Sequence, residues 1–171
     1  MAAEGSCALG PAQIVVSWRM LDTLHHVLLR VGLGAPAAAA TVDDIAKFAS
    51  LGPMAWSPYL VLGGTGIAPL RDTEDAAVLE VAIAAGADLL VIADMADFAP
   101  GPRSRLPARI VARHGARPAA LSIPLPDRPD FIIATPQRAA EWLSGGPRPR
   151  GVLPRFPSGA TARLRPRTRL D

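Results

Sequence analysis

The stretch from Asp72 to Asp97 constrains the fold more than any other part of the sequence. Asp72 stands where an N-cap carboxylate accepts from the free N–H groups of a helix start, and Thr73, Glu74 and Asp75 fill a first turn in which acids favour the positive end of the helix dipole. Val78, Leu79, Ala82 and Ile83 then recur at helical spacing as a buried stripe, and Gly86 closes the helix. Residues 89–92 are continuously apolar, the pattern of a strand buried on both faces of a parallel sheet, and that strand ends on Ala93-Asp94. Helix, short loop and buried strand in succession predict an α/β fold.

Upstream, the β-branched run at 13–16 predicts a strand leading into a helix capped by Ser17. Met20, Leu21, Leu24, Val27, Leu28 and Val31 give that helix one apolar stripe, beside which Trp18 is expected to pack. His25 and His26 read as surface positions. A second helix is expected over 36–50, with Val42, Ile45 and Ala49 on one face, and 59–62 reads as a strand before the glycine-rich turn Gly63-Gly64-Thr65-Gly66.

Downstream the texture changes, because 13 of the 18 prolines lie from Pro100 onward and long regular elements become improbable. Within 99–129 a Pro and Arg-rich insertion is expected to hold only a short strand at 119–123. Residues 131–134 read as a strand, Thr135 as an N-cap and Pro136 as the first residue of a closing helix in which Trp142 faces the core. The expected organisation is an N-terminal segment 1–12, a domain 13–146 and a basic, disordered tail 147–171.

No uncharged apolar run is long enough to span a membrane, since Glu80 and Asp88 interrupt the most apolar region, and the N-terminus lacks the layout of a secretory signal. With Cys7 as the one cysteine, no intramolecular disulfide or thiolate metal cluster can form, and a cytoplasmic location is expected. Net charge is +3, but residues 1–99 hold 11 acids against 4 basic groups, while 100–171 hold 14 basic groups against 4 acids. An acidic half beside an arginine-rich half suits a metal site flanked by a polyanion-binding surface.

The carboxylates carry the chemistry. Asp75 sits in the first turn of a helix, Asp94 at the carboxyl end of the next strand and Asp97 just beyond, and ligands of α/β sheets gather at strand carboxyl ends. Carboxylates brought together there repel one another, and a hard cation such as Mg²⁺ or Mn²⁺ relieves the repulsion.

These same residues resemble a known family. Asp72-x-x-Asp75, Val78-Leu79, Ala87-Asp88-Leu89-Leu90-Val91 and Asp94-x-x-Asp97 resemble the second half of a PIN domain, a family of metal-dependent ribonucleases common as toxins of bacterial toxin–antitoxin pairs. VVSWRMLDTLHHVL resembles the family's strand, Ser and helix, and FIIATPQRAAEWL its closing strand, Thr-Pro and helix, so three segments match in order over 13–144. The resemblance implies a three-layer α/β/α domain with a central, mostly parallel sheet. It also implies Mg²⁺ or Mn²⁺ held by Asp75, Asp94 and Asp97, with Asp75 and Asp94 catalytic, and cleavage of RNA phosphodiester bonds. An antitoxin protein and a second copy of the chain are the implied partners, with no membrane.

The sequence departs from the family pattern in two places. No strand carrying Leu-Asp-x-Asn precedes Gln13, so the domain reads as N-terminally truncated and short of its first acid. Thr23 stands where many members carry Glu, and Asp22 beside it points about 100 degrees away on a helix. The alternative reading is therefore an inactive PIN-like module that binds an antitoxin-like protein or RNA. A third resemblance, of residues 60–70 to the Gly-Gly-Thr-Gly-Ile-Ala-Pro turn of ferredoxin reductase-type nicotinamide-binding domains, reads as a turn that happens to share those residues.

Overall fold

The structure is a computed structural model that describes residues 6–7, 10–11, 13–51, 70–101, 104–126 and 128–147. The expected strand at 59–62, the glycine-rich turn after it and almost all of the basic tail lie outside the described residues. A minimal hairpin, β1 (Ser6–Cys7) and β2 (Gly10–Pro11), precedes helices α1 (Trp18–Arg30) and α2 (Ala35–Ser50). Helix α3 (Thr73–Ala84) and strand β3 (Leu89–Val91) follow. Strands β4 (Arg109–His114), β5 (Arg117–Leu125) and β6 (Arg128–Ala134) and helix α4 (Pro136–Leu143) complete the described fold.

Local chemistry sets the helix starts. The Ser17 side chain accepts from the Met20 N–H, Asp72 Oδ1 from the N–H groups of Glu74 (2.7 Å) and Asp75 (3.2 Å), and Thr135 Oγ1 from Arg138 N–H. Each satisfies donors that the helix itself leaves orphaned. The run at 13–16, expected as a strand, has no regular secondary structure.

The main sheet has the order β3-β6-β5-β4. Strand β3 runs parallel to β6, with Leu89, Leu90 and Val91 opposite Ile132, Ile133 and Ala134. Among the described strands the two remaining pairs are antiparallel, so the described sheet of this α/β fold is mixed where a mostly parallel one was expected. The cause is connection length. The turn at Gly115-Ala116, with Gly115 at φ 57°, and the short link from β5 to β6 are too brief for a crossover, so the chain must double back.

The insertion at 99–129 thus supplies two strands where one short strand was expected. Pro118 lies near the hairpin end of β5 and Pro124 falls within the register shift between Ile123 and Leu125, so the missing N–H groups interrupt the ladder only where it is already irregular.

Side chains alternate across this sheet and so build two cores. Leu121 and Ile123 of β5 and Phe131 and Ile133 of β6 face Leu79 and Ala82 of α3, with Met95 and Phe98 closing the cluster. Ala120, Ile132 and Ala134 point the other way, onto Ala139 and Trp142 of α4. Helix, sheet and helix therefore form the three expected layers. Trp142 is 1% exposed, as expected of a core residue. Strand β3 is a correction: it is last in the order of the described strands and Val91 is 45% exposed, so among the described residues it is not covered on both faces. Trp18, expected against Met20 and Leu21, is 53% exposed.

Candidate functional site

Asp75, Asp94 and Asp97 come from the first turn of α3 and the loop just past β3. Asp75 and Asp97 are half-buried and Asp94 is exposed. Partial burial pushes the Asp75 carboxyl above its ordinary value, and the negative charges of Asp72, Asp97, Asp94 and Glu74 push it the same way. The acids singled out in the sequence therefore share one electrostatic field. Asp94 is held in place by its own turn, its Oδ1 accepting from the Ala96 N–H at 2.8 Å. Asp72 is occupied as the cap of α3, so it adds charge while its Oδ1 serves the backbone.

Shared field is not the same as a cage. Among the described residues, no three His, Cys, Asp or Glu side chains form a group that could hold a metal ion. The donor chemistry nonetheless fits Mg²⁺ or Mn²⁺, which take hard oxygen ligands and are commonly held by one or two carboxylates with waters and substrate phosphate completing the shell.

The two helical positions weighed beside these acids separate as the helix geometry requires. Thr23 lines a cavity between α1 and α3 together with Glu74 and Asp75. Asp22 faces the opposite side, in a depression shared with His25 of α1 and Asp43 of α2. His26 is exposed, its Nδ1 2.9 Å from the Asp22 carbonyl, and its ring meets His25 edge-on.

Glu80 is the group that sequence reading treated only as a break in an apolar run. It is buried on α3 between Leu79 and Val81 and lines the same cavity as Asp75. The signal was present in the sequence as a carboxylate set inside an otherwise apolar helical stretch.

The PIN domain family profile matches residues 5–96, more than half of the chain, a span that contains α1, α2, α3, β3 and Asp94. The chain belongs to the PIN domain family. No curated protein and no solved structure matches it. PIN domains are generally metal-dependent nuclease domains that bind divalent cations and commonly bind RNA. In this PIN domain no described helix is long and apolar enough to cross a membrane.

Proposed function

We propose that this PIN domain is a Mg²⁺ or Mn²⁺-dependent endoribonuclease, the toxin of a bacterial toxin–antitoxin pair acting in the cytoplasm. The observation that carries this reading is the PIN domain family match, with Asp75 in the first turn of α3 and Asp94 just past the end of β3; burial first, and then the negative charges of Asp72, Asp97, Asp94 and Glu74, push the Asp75 carboxyl upward. Like charges gathered at a strand end and a helix start are the arrangement that a divalent cation neutralises. Asp75, Asp94 and Asp97 would hold the ion. When bound, it supplies charge stabilisation at the scissile phosphate and a more acidic attacking water. The chain's own contribution is positional: the Asp72 cap fixes the first turn that carries Asp75, and the Ala96 N–H fixes Asp94. The arginines of residues 100–171 supply the cationic flank for RNA. Exposed Val27, Leu29, Val31, Leu33 and Phe48 on the α1–α2 hairpin supply an apolar surface for an antitoxin or a second copy.

The test is cleavage of a single-stranded RNA by the full chain with Mn²⁺ or Mg²⁺ and with chelator. Asp75→Asn and Asp94→Asn, purified identically, are expected to lose at least about a hundredfold in rate, the scale for removing one charge-stabilising group. RNA affinity should persist in both variants and fall linearly with salt on logarithmic axes. RNA that is bound but never cut would favour the inactive binding module instead. The absence of a group of three metal ligands among the described residues is the observation on that reading's side.

A further inference from the structure

We propose that the β4–β5 hairpin is an RNA-docking element, in which Arg109, Arg113 and Arg117 hold the phosphate backbone a short way from the acids. The proposal rests on the nuclease reading above for its choice of RNA and deepens it by placing the backbone contact in one named element. Residues 98–126 contain five arginines and no Asp or Glu. The hairpin within this stretch, β4 and β5 with the turn at Gly115-Ala116, lies wholly beyond the residues 5–96 matched by the family profile. Arg109, Arg113 and Arg117 are all exposed, and among the described residues none of them forms an ion pair with a carboxylate. Lys47 and Arg138, by contrast, pair with Asp44 and Glu141. Three guanidinium groups gathered on one hairpin without a counter-charge repel one another, and a polyanion relieves that repulsion.

The sheet register sets where these cations lie. Strand β3 runs parallel to β6, and the pair ends where the Ile92 N–H donates to the Ala134 carbonyl at 3.0 Å. The Thr135 N–H donates to the Ala119 carbonyl at 3.0 Å, so the antiparallel β5 starts at that same end of the sheet, and the turn joining it to β4 projects there. Asp94 and Asp97 follow directly on β3 and so stand at this end too. With the order β3-β6-β5-β4, the acids and the hairpin tip are two to three strand spacings apart, roughly 10–14 Å at about 4.8 Å each. One strand of RNA laid across this end of the sheet can therefore meet both. Gly115 at φ 57° makes the turn tight, and Arg113 Nη1 donates to the Ala116 carbonyl at 3.0 Å, which ties that side chain to the turn with its charge intact. Backbone binding of this kind depends on charge brought near phosphates and not on the aim of any one side chain.

Fluorescence anisotropy of a labelled, mixed-sequence single-stranded RNA, titrated with the full chain in chelator across a range of salt, tests this apart from any cleavage. Arg113→Gln with Arg117→Gln should weaken binding and flatten the plot of log affinity against log salt by about 1.4, at about 0.7 per phosphate contact for a single strand. Arg30→Gln with Lys47→Gln, which removes two exposed cations from the α1–α2 hairpin, should leave that slope unchanged. Arg113→Lys with Arg117→Lys keeps the charge and should keep the slope, so a flattening there as large as in the Gln pair would trace the loss to a damaged hairpin and overturn the proposal. A slope that moves equally in the α1–α2 control would overturn it as well. So would RNA binding that survives the Gln pair unaltered, the arginines then serving to keep strand β4 from pairing with another chain. Binding of a polyglutamate peptide in place of RNA, lost in the same Gln pair, would overturn it in favour of an acidic protein partner. Metal-dependent cleavage with RNA affinity untouched by the Gln pair would sink the docking element and leave the nuclease standing, whereas hairpin-dependent binding of RNA that is never cut would do the reverse.

Discussion

The sheet with α3 and α4 and the α1–α2 hairpin are built on opposite terms. In the first, Leu79, Phe98, Leu121, Phe131, Ile132, Ile133 and Trp142 are almost wholly sequestered, and two faces of one sheet share them. Among the described residues, the hairpin has the smaller buried cluster, Val16, Leu21 and Ala49, with Ala38 buried besides. It also carries most of the exposed large apolar side chains, Trp18, Val27, Leu29, Val31, Leu33 and Phe48. The half with the larger described core carries one wall of the cavity and the acids past β3, while the half with the smaller described core supplies the other wall. Local stability should divide along the same line, since few buried contacts mean a low free energy of opening.

The largest effect expected on this contrast is in the sheet. Phe131→Ala should cost about 3–5 kcal/mol, the range for an aromatic removed from a packed core, measured by urea unfolding. Leu21→Ala, the same kind of truncation in the hairpin, should fall near the bottom of the usual range, about 2 kcal/mol, because half-exposed neighbours can close over the gap. Equal costs for the two would break the distinction between the halves.

A smaller effect sharpens it at the junction. The Asp75 carboxyl lies above its ordinary 3.8 in the folded state. Between 3.8 and the raised value the native chain holds more protons than the unfolded chain, so this group makes stability fall as pH climbs through that window. The full penalty is present at neutral pH and is relieved on acidification. Asp75→Asn should therefore raise the urea midpoint at pH 7, with the gain shrinking as pH approaches 3.8. A gain independent of pH would mean that the acids do not act on one another.

Much of this was legible in the sequence where local rules decide. Ser17, Asp72 and Thr135 cap the helices they were expected to cap, and Val42, Ile45 and Ala49 pack on one side of α2. Legibility failed where a tertiary partner decides. Prolines 118 and 124 argued against strands, but a proline at an irregular point of the ladder costs no regular hydrogen bond. The apolar run of β3 argued for burial on both faces, yet Val91 is exposed in the described structure, which the strand's own sequence does not announce. At the site, the helix start and strand end that carry Asp75 and Asp94 were legible, and Glu80 stood out in the sequence as an acid in an apolar stretch, whereas the cavity that it lines depends on how α1 and α3 meet.

The strand order also carries a temporal consequence. Strands β4, β5 and β6 are consecutive in the chain and form a meander from short-range contacts, whereas β3 reaches β6 only by closing the long loop from Leu89 to Ile132. The meander can therefore nucleate before β3 docks, and truncations at Leu121 should slow folding while those at Leu90 mainly hasten unfolding, a difference that stopped-flow chevrons would resolve. Asp94 and Asp97 follow directly on β3, so in that folding order the acidic centre would form only after the rest of the described sheet exists.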